Sequence, residues 1–391
     1  MILKDLDSVT VKDLMELKEN GVSESKTLEY KKELKLVTDQ DKKEFLADVS
    51  SFTNTSGGDI IYGINEVAGV PSTLEGMRID NIDTLKQQIE NIIRDGLEPR
   101  ITGHAIKELQ KDQNIFFIII RVPKSWISPH RVIFKGSSKF YGRNSNGKYE
   151  LDVSELKRLF NLSDSISIKI KQFREDRISK IISGETSIKL TGERIVVLHI
   201  VPLISVSQSQ FYDIKIISKK KELAKPLCSG GWDAIFNFDG IISFNGHLGS
   251  TITSYTQFFR NGIIEAVTTK LEYKPNDSQV FIPSSSFERN FFEALKNYFN
   301  LYRELNVDFP GYVFVTLINY EGCFLAVDNS IMHFYDSVPV DRSILPFPEV
   351  YVESNEYNFH RILKPIFDTL WNTCGYERCL NYGPDGSYNP K

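Results

Sequence analysis

The sequence predicts an α+β protein of two domains, and three observations carry that expectation. A chain of 391 residues is more than one hydrophobic core usually serves, so division into two folding units is the default. Over a first block of roughly 160 residues, a domain-sized length, helical periods are interleaved with short strand-like runs. From Arg194 onward the texture changes to longer strands with one pronounced amphipathic helix.

The elements follow in order. Residues 10–20 place Val11, Leu14, Met15 and Leu17 at helical spacing, opened by Thr10 and closed by Gly21. Thr27 to Lys31 alternates and reads as a strand. Asp39 to Ser51 returns to a helix with Phe45, Leu46, Val49 and Phe52 on one side. Gly57-Gly58 punctuates, and Asp59 to Ile64 reads as a buried strand. Residues 82–93 form an amphipathic helix stopped by Gly96 and Pro99. Ile115 to Val122, apolar, β-branched and aromatic, is the strongest strand and is expected in the middle of a sheet. Lys139 to Arg143 and a helix from Asp152 to Phe160 close the first domain, set at residues 1–162. Residues 163–190 read as a charged connecting helix, and 191–391 as a mixed α+β domain. In that second domain Ile195–Val201, Ile214–Ile217 and Tyr312–Ile318 are expected strands, and Ser286–Leu301 a helix.

Composition narrows the function. No apolar run is long enough to span a bilayer, and acids interrupt the N-terminus where a signal peptide needs an apolar core. A cytoplasmic protein without membrane contact is expected. Cys228, Cys323, Cys374 and Cys379 are too scattered for a disulfide framework or a tetrahedral zinc site. The net charge of −4 argues against a passive coating protein for nucleic acid, but leaves room for an enzyme with one local basic groove. No phosphate-binding Gly-x-x-x-x-Gly-Lys-(Ser/Thr) loop occurs, so nothing supports ATP hydrolysis. The lysines at 219–221 and Lys225 read as a solvated hairpin tip.

The chemistry-bearing text is Glu24-Ser-Lys-Thr-Leu-Glu29-Tyr-Lys31, followed by Ser51-Phe-Thr-Asn54-Thr55-Ser-Gly57-Gly58-Asp59-Ile-Ile-Tyr-Gly63-Ile64-Asn65-Glu66. Residues five apart lie ~140° apart on a helix and on opposite faces of a strand. Glu24 and Glu29 therefore meet only if Glu24 lies in the turn entering the strand that holds Glu29. Lys31 shares Glu29's face, and Glu66 needs a bend after Gly63 to join them. Three converging carboxylates repel and require a cation, a proton or a lysine between them. Oxygen-rich clusters of this kind suit Mg²⁺ or Mn²⁺, which orient water against a phosphodiester.

This combination, Glu-x-x-x-x-Glu-(Tyr/Phe)-Lys and then Ser-Phe-x-Asn-Thr-x-Gly-Gly with its following strand, resembles the AlbA-like domain of the Schlafen family. Phe140-Tyr141-Gly142-Arg143 is similar to that family's later Tyr-x-Arg segment, and the resemblance spans about residues 20–160. It implies a metal-dependent endoribonuclease acting on structured RNA such as tRNA, in antiviral defence or as a toxin. Glu24, Glu29 and Glu66 are then the metal-binding and catalytic acids, with Glu66 standing where an aspartate is usual and Asp59 as the fallback third acid. Lys31 joins the catalytic set. Lys31, Arg143 and Lys148 are the implied nucleic-acid contacts. The resemblance further implies a horseshoe built of two copies of the fold. The single Glu-x-x-x-x-Glu-(Tyr/Phe)-Lys in this chain points to a homodimer. The alternative is a non-catalytic regulator that binds RNA or DNA in the same groove.

Other residues carry plainer expectations. Asn54, Thr55, Gly57 and Gly58 are expected to cap the helix and turn the chain. His199, inside an apolar strand, reads as a core residue, whereas His130 is a candidate for the groove. The segment from Tyr255 to Gly262 reads either as a partner-recognition surface or as core packing on a helix.

Overall fold

The computed structural model describes residues 1–391 except 3, 208–210, 248, 276–278, 308, 328–336, 354–357 and 391. It divides into two compact units, Met1–Ser165 and Ile166–Lys391.

The first unit contains α1 (Val11–Glu19), β1 (Leu28–Lys31), α2 (Asp39–Thr53), β2 (Gly58–Tyr62), β3 (Ile64–Val67), β4 (Val70–Leu74) and β5 (Met77–Arg78). It continues with α3 (Ile82–Gly96), β6 (Leu97–Glu98), β7 (Ala105–Asp112), β8 (Ile115–Val122), β9 (Arg131–Val132), β10 (Lys139–Asn144), β11 (Gly147–Glu150) and the start of α4 (Val153–Ser183). β1 runs parallel to β2, which is antiparallel to β8, and β7 closes the far edge, while β5 extends the line of β2 along β8. The central place expected for Ile115–Val122 is therefore occupied, and both faces of that strand are covered. On one face Ile60, Ile118 and Ile120 meet Phe45, Val49 and Phe52 of α2 and Ile89 and Ile93 of α3. On the other, Ile61, Phe117 and Ile119 meet Leu14 of α1 and the N-terminal segment. A second small sheet, β11-β10-β9-β6, lies beside α2.

α2 forms because its apolar stripe is set off by a capping box: the Asp41 N–H donates to Thr38 Oγ1 at 3.1 Å and the Thr38 N–H to Asp41 Oδ2 at 2.8 Å. It ends at Asn54, and Gly58 follows with φ +154°. A Cβ on Gly58 would stand 2.4 Å from the Thr27 carbonyl oxygen, so only glycine lets β2 lie against β1 here. The predicted closing helix and connecting helix are one element, the 31-residue α4.

The second unit comprises the rest of α4, then β12 (Ile195–Pro202), α5 (Leu203–Ser207), α6 (Lys215–Lys219), β13 (Asp233–Phe236), β14 (Gly240–Phe244), β15 (Ser254–Phe259), β16 (Ile264–Thr268) and β17 (Phe281–Pro283). After these come α7 (Ser284–Glu304), β18 (Gly311–Ile318), β19 (Phe324–Ala326), β20 (Ile344–Pro346), β21 (Val350–Val352) and α8 (Phe359–Thr373). Antiparallel pairing orders the main sheet β13-β14-β15-β16-β12-β18, with β20 and β21 on the outer edge. α7 and α8 cover one face, where Leu198 and Val315 meet Phe291, Leu295 and Phe367. Ile178 and Ile181 of α4 cover the other, against Val197, Tyr255 and Val267.

Three expectations are corrected in this unit. Ile214–Ile217 is not a strand: the Lys215 N–H donates to Asp213 Oδ1 at 3.1 Å, starting a short helix that buries Ile214 and Ile217. The lysine run is no hairpin tip, because it closes α6 and a following helical turn. Its cations pair with acids, Lys220 with Glu304 at 2.5 Å and Lys225 with Glu293 at 2.6 Å. Tyr255 to Phe258 lie in β15 and are buried, so they form neither a helix nor a recognition surface. Among the described residues no helix is long and apolar enough to cross a membrane.

Candidate active site

The site grows from the turn before β1. An isolated bridge between Ser25 and Leu28 folds that turn back, and the Tyr30 N–H donates to Glu24 Oε1 at 2.8 Å. Glu24 thus reaches the strand of Glu29 from the turn, as the spacing requires. The Glu24 N–H donates to the Gly69 carbonyl at 2.7 Å, tying this turn to the β3–β4 hairpin. That hairpin turns on Ala68 and Gly69, with φ +54° and +76°, the left-handed pair of a tight two-residue loop. Gly63, at φ +96°, supplies the bend ahead of it, and a register shift between Asn65 and Glu66 re-aims Glu66. Its Oε2 accepts the Gly69 N–H at 2.5 Å, while Glu24 Oε2 lies 3.7 Å from where a Cβ on the same glycine would stand. Two carboxylates therefore border one turn.

Glu29 is held differently. Its Oε1 stands 2.7 Å from Lys31 Nζ, and its Oε2 is paired with Arg143 Nη2. Arg143 is buried on β10, stacked 4.3 Å over the Phe52 ring, with Nε donating to the Ser25 carbonyl at 3.3 Å. Its Nη1 is also buried and has no hydrogen-bond partner. Lys31 reaches on to Asp48 Oδ2 at 3.4 Å, and Asp48 Oδ1 takes Lys148 Nζ at 2.7 Å, which also pairs with Glu44. The three expected cations are thus already opposed by acids. Arg143 and Lys148 are largely enclosed, and Lys31 keeps a third of its side chain exposed.

Electrostatics divides the glutamates. Burial raises the Glu24 carboxyl above the usual range, reinforced by Glu29 and Glu66 and only partly offset by its backbone hydrogen bond and Arg143. Burial pushes Glu29 the same way, but Arg143 and Lys31 outweigh it and hold it low. Burial keeps Asp48 high despite its two lysines. Glu29 and Glu66 thus both act on Glu24.

As a cation site the cluster is partial. Among the described residues no group of three or more His, Cys, Asp or Glu side chains is assembled to hold a metal. Both oxygens of Glu29 face cations, whereas Glu24 and Glu66 each keep one oxygen without a hydrogen bond among the described residues. Hard carboxylate oxygens in that number fit Mg²⁺ or Mn²⁺, which commonly takes one or two protein carboxylates and completes its shell with water and substrate phosphate.

Other expected residues lie elsewhere. Asp59 is fully buried and bonded to Arg121 at 2.7 Å and to the Ile2 N–H at 2.7 Å, so it anchors the N-terminus rather than joining the glutamates. His130 is enclosed, its ring bonded to the Pro99 carbonyl and Ser125 Oγ at 2.6 Å each, and does not face a groove. His199 is a core residue, bonded to Glu265 at 3.0 Å. Asn54 does more than end a helix: it accepts the His130 N–H at 2.7 Å and donates to the His130 and Tyr141 carbonyls at 2.9 Å. Thr55 Oγ1 takes the Arg143 N–H at 3.0 Å. The Asn-Thr pair thereby sets the position of Arg143. Asp48 is the site residue that the sequence reading missed. Its signal was a carboxylate on the apolar stripe of a helix, three residues after Phe45 and four before Phe52.

A family profile described as Schlafen, AlbA_2 matches residues 24–152. No curated protein matches the chain significantly. The crystal structure of the DIP2311 protein from Corynebacterium diphtheriae is similar over 38% of this chain and 28% of its own length, at 16% identity and a TM-score of 0.25. The profile begins at Glu24 and takes in Glu29, Lys31, Glu66, Arg143 and Lys148, so the assembled site lies wholly inside it. The first unit of this chain is a Schlafen AlbA-like domain, and its function is nucleic-acid-related.

Proposed function

We propose that the protein is an endoribonuclease that cleaves structured RNA such as tRNA at the Glu24, Glu29 and Glu66 cluster, as a defence or toxin-type effector. The observation that carries this reading is that Glu24, bordering the Gly69 turn with Glu66, senses the charges of Glu29, Glu66 and Arg143 together. Lys31, the one of the three cations that keeps a third of its side chain exposed, is the proposed contact to an RNA phosphate oxygen. Glu24 and Glu66 would hold Mg²⁺ or Mn²⁺, which when bound supplies charge neutralisation and an activated water. Glu29, itself fixed by Arg143, and Asp48 hold Lys31 in place for the phosphate. Two copies are proposed to form the working unit, which light scattering on the purified chain tests.

A second reading, a non-catalytic binder of RNA or DNA, draws on one observation: both oxygens of Glu29 are neutralised by cations. Purified protein incubated with tRNA and Mn²⁺ separates the two. Cleavage by wild type that falls to background in Glu24→Gln and Glu66→Gln supports the nuclease. Intact tRNA in every lane, with gel-shift binding retained, would replace it by the binder.

A further inference from the structure

The second unit carries a cleft of about 660 Å³ lined by residues of four segments: Lys169 of α4, Ser205 of α5, Phe238 and Asp239 of the β13–β14 turn, and Phe259, Arg260 and Asn261 at the end of β15, with Phe211 on its rim. That volume is in the range of sites for small organic ligands. Three features bear on what it could bind.

Its cations are unspent. Nearly every basic residue around the glutamate cluster faces a carboxylate, but among the described residues neither Lys169 nor Arg260 does. Lys169 Nζ reaches only the Val206 carbonyl at 3.5 Å. Arg260 uses Nε and Nη2 on the Phe238 and Asn237 carbonyls, at 3.1 and 3.2 Å, which fixes the guanidinium plane and leaves Nη1 over. A fixed guanidinium with a spare donor beside a free ammonium suits a phosphate group.

Its aromatic rings are exposed. Phe238 is 95% and Phe211 73% accessible, the former at the tip of a tight turn where a polar residue would cost nothing. Phe259, the third ring, is fixed from behind by Phe173, edge-on at 5.9 Å, and by Arg177 at 5.1 Å. Exposed rings beside cations are the usual platform for stacking a base.

Its wall also holds an unmet polar atom. Ser205 is 5% exposed and its Oγ is buried with no hydrogen-bond partner, next to Asn261, whose amide reaches the Ser205 carbonyl at 3.3 Å. Asp239 adds an acceptor for hydroxyl or amino groups. Flat rings, a phosphate-type anion and hydrogen-bonding edges together describe one ligand class.

We infer that this cleft binds a mononucleotide, its base against Phe238 and Phe211 and its phosphate on Arg260 and Lys169. The inference concerns the second unit alone and does not depend on what the glutamate cluster does. Calorimetric titration of the full chain with AMP, GMP, CMP and UMP, beside adenosine and inorganic phosphate, tests it. Saturable binding of at least one nucleotide is expected, weakened about fivefold or more by Phe238→Ala, the loss of one stacked base. Arg260→Ala should weaken it further. Phe238 is almost fully exposed, so its replacement leaves the fold intact. The inference is overturned if none of the four binds at millimolar concentration, if inorganic phosphate binds equally well, or if binding survives both substitutions unchanged.

Discussion

Glu24 and Glu29 are five residues apart and are pushed in opposite directions, and the difference is local. Glu24 is half-buried with acids nearby, so its folded-state pKa is raised and its ionised form costs stability at neutral pH. Glu24→Gln is therefore expected to be no less stable than wild type at pH 7, with an amide oxygen still accepting the Tyr30 N–H; a lowered urea midpoint would contradict this. For the same reason Mn²⁺ affinity should fall as pH drops through a value above the ordinary 4.5. Glu265 is the opposite case. It is fully buried, bonded twice to Arg177 at 2.7 Å and to His199 and Tyr255. Burial alone would raise it, but Arg177 and His199 bring it down to about 2. A lowered carboxyl contributes stability above its unfolded value, lost as pH falls from 4.5 towards 2. Glu265→Gln should cost about 3 kcal/mol at pH 7, a difference that narrows below pH 4.5 in urea titrations. At this scale the spacing rules placed Glu24, Glu29 and Lys31 well, because strand geometry is local. They gave no hint that Arg143, more than a hundred residues away, takes up Glu29.

Among elements, the strongly periodic segments were legible and the short ones were not. Ile115–Val122 and the helix beginning at Ile82 lie where their patterns put them, since each buries a continuous apolar face. The β3–β4 hairpin escaped notice, for its turn is Ala68-Gly69 and carries no Asn-Gly signal, yet it brings Glu66 to Glu24. Ile214–Ile217 misled because four residues, three of them isoleucine, cannot be told from a helical turn by period alone. The Asn54 side chain joins the end of α2 to His130, just before β9, and to Tyr141 of β10, and no pattern announces such a clamp. Asn54→Ala leaves its buried backbone partners unmet and should cost about 3 kcal/mol in a denaturant titration. A loss under ~0.5 kcal/mol, the range of an indifferent surface change, would show that the clamp is not needed. Gly58→Ala should be worse tolerated still, since it would force β1 from β2.

For the whole molecule, two units with separate cores share one helix, α4. The change of texture near Arg194 was visible in the sequence, whereas the continuity of α4 was not, because Ser163-Asp164-Ser165 looks like a break. The first unit closes two hydrophobic clusters by itself. A fragment of residues 1–165 is therefore expected to unfold cooperatively by circular dichroism, and a non-cooperative melt would contradict independent folding. The nuclease proposal rests on where a cation sits. The most direct measurement is the anomalous scattering of a crystal soaked in Mn²⁺. The account predicts one ion at the Gly69 turn, touching Glu24 and Glu66 and absent from Glu66→Gln; a turn left without manganese in crystals of protein that still cleaves RNA would contradict it.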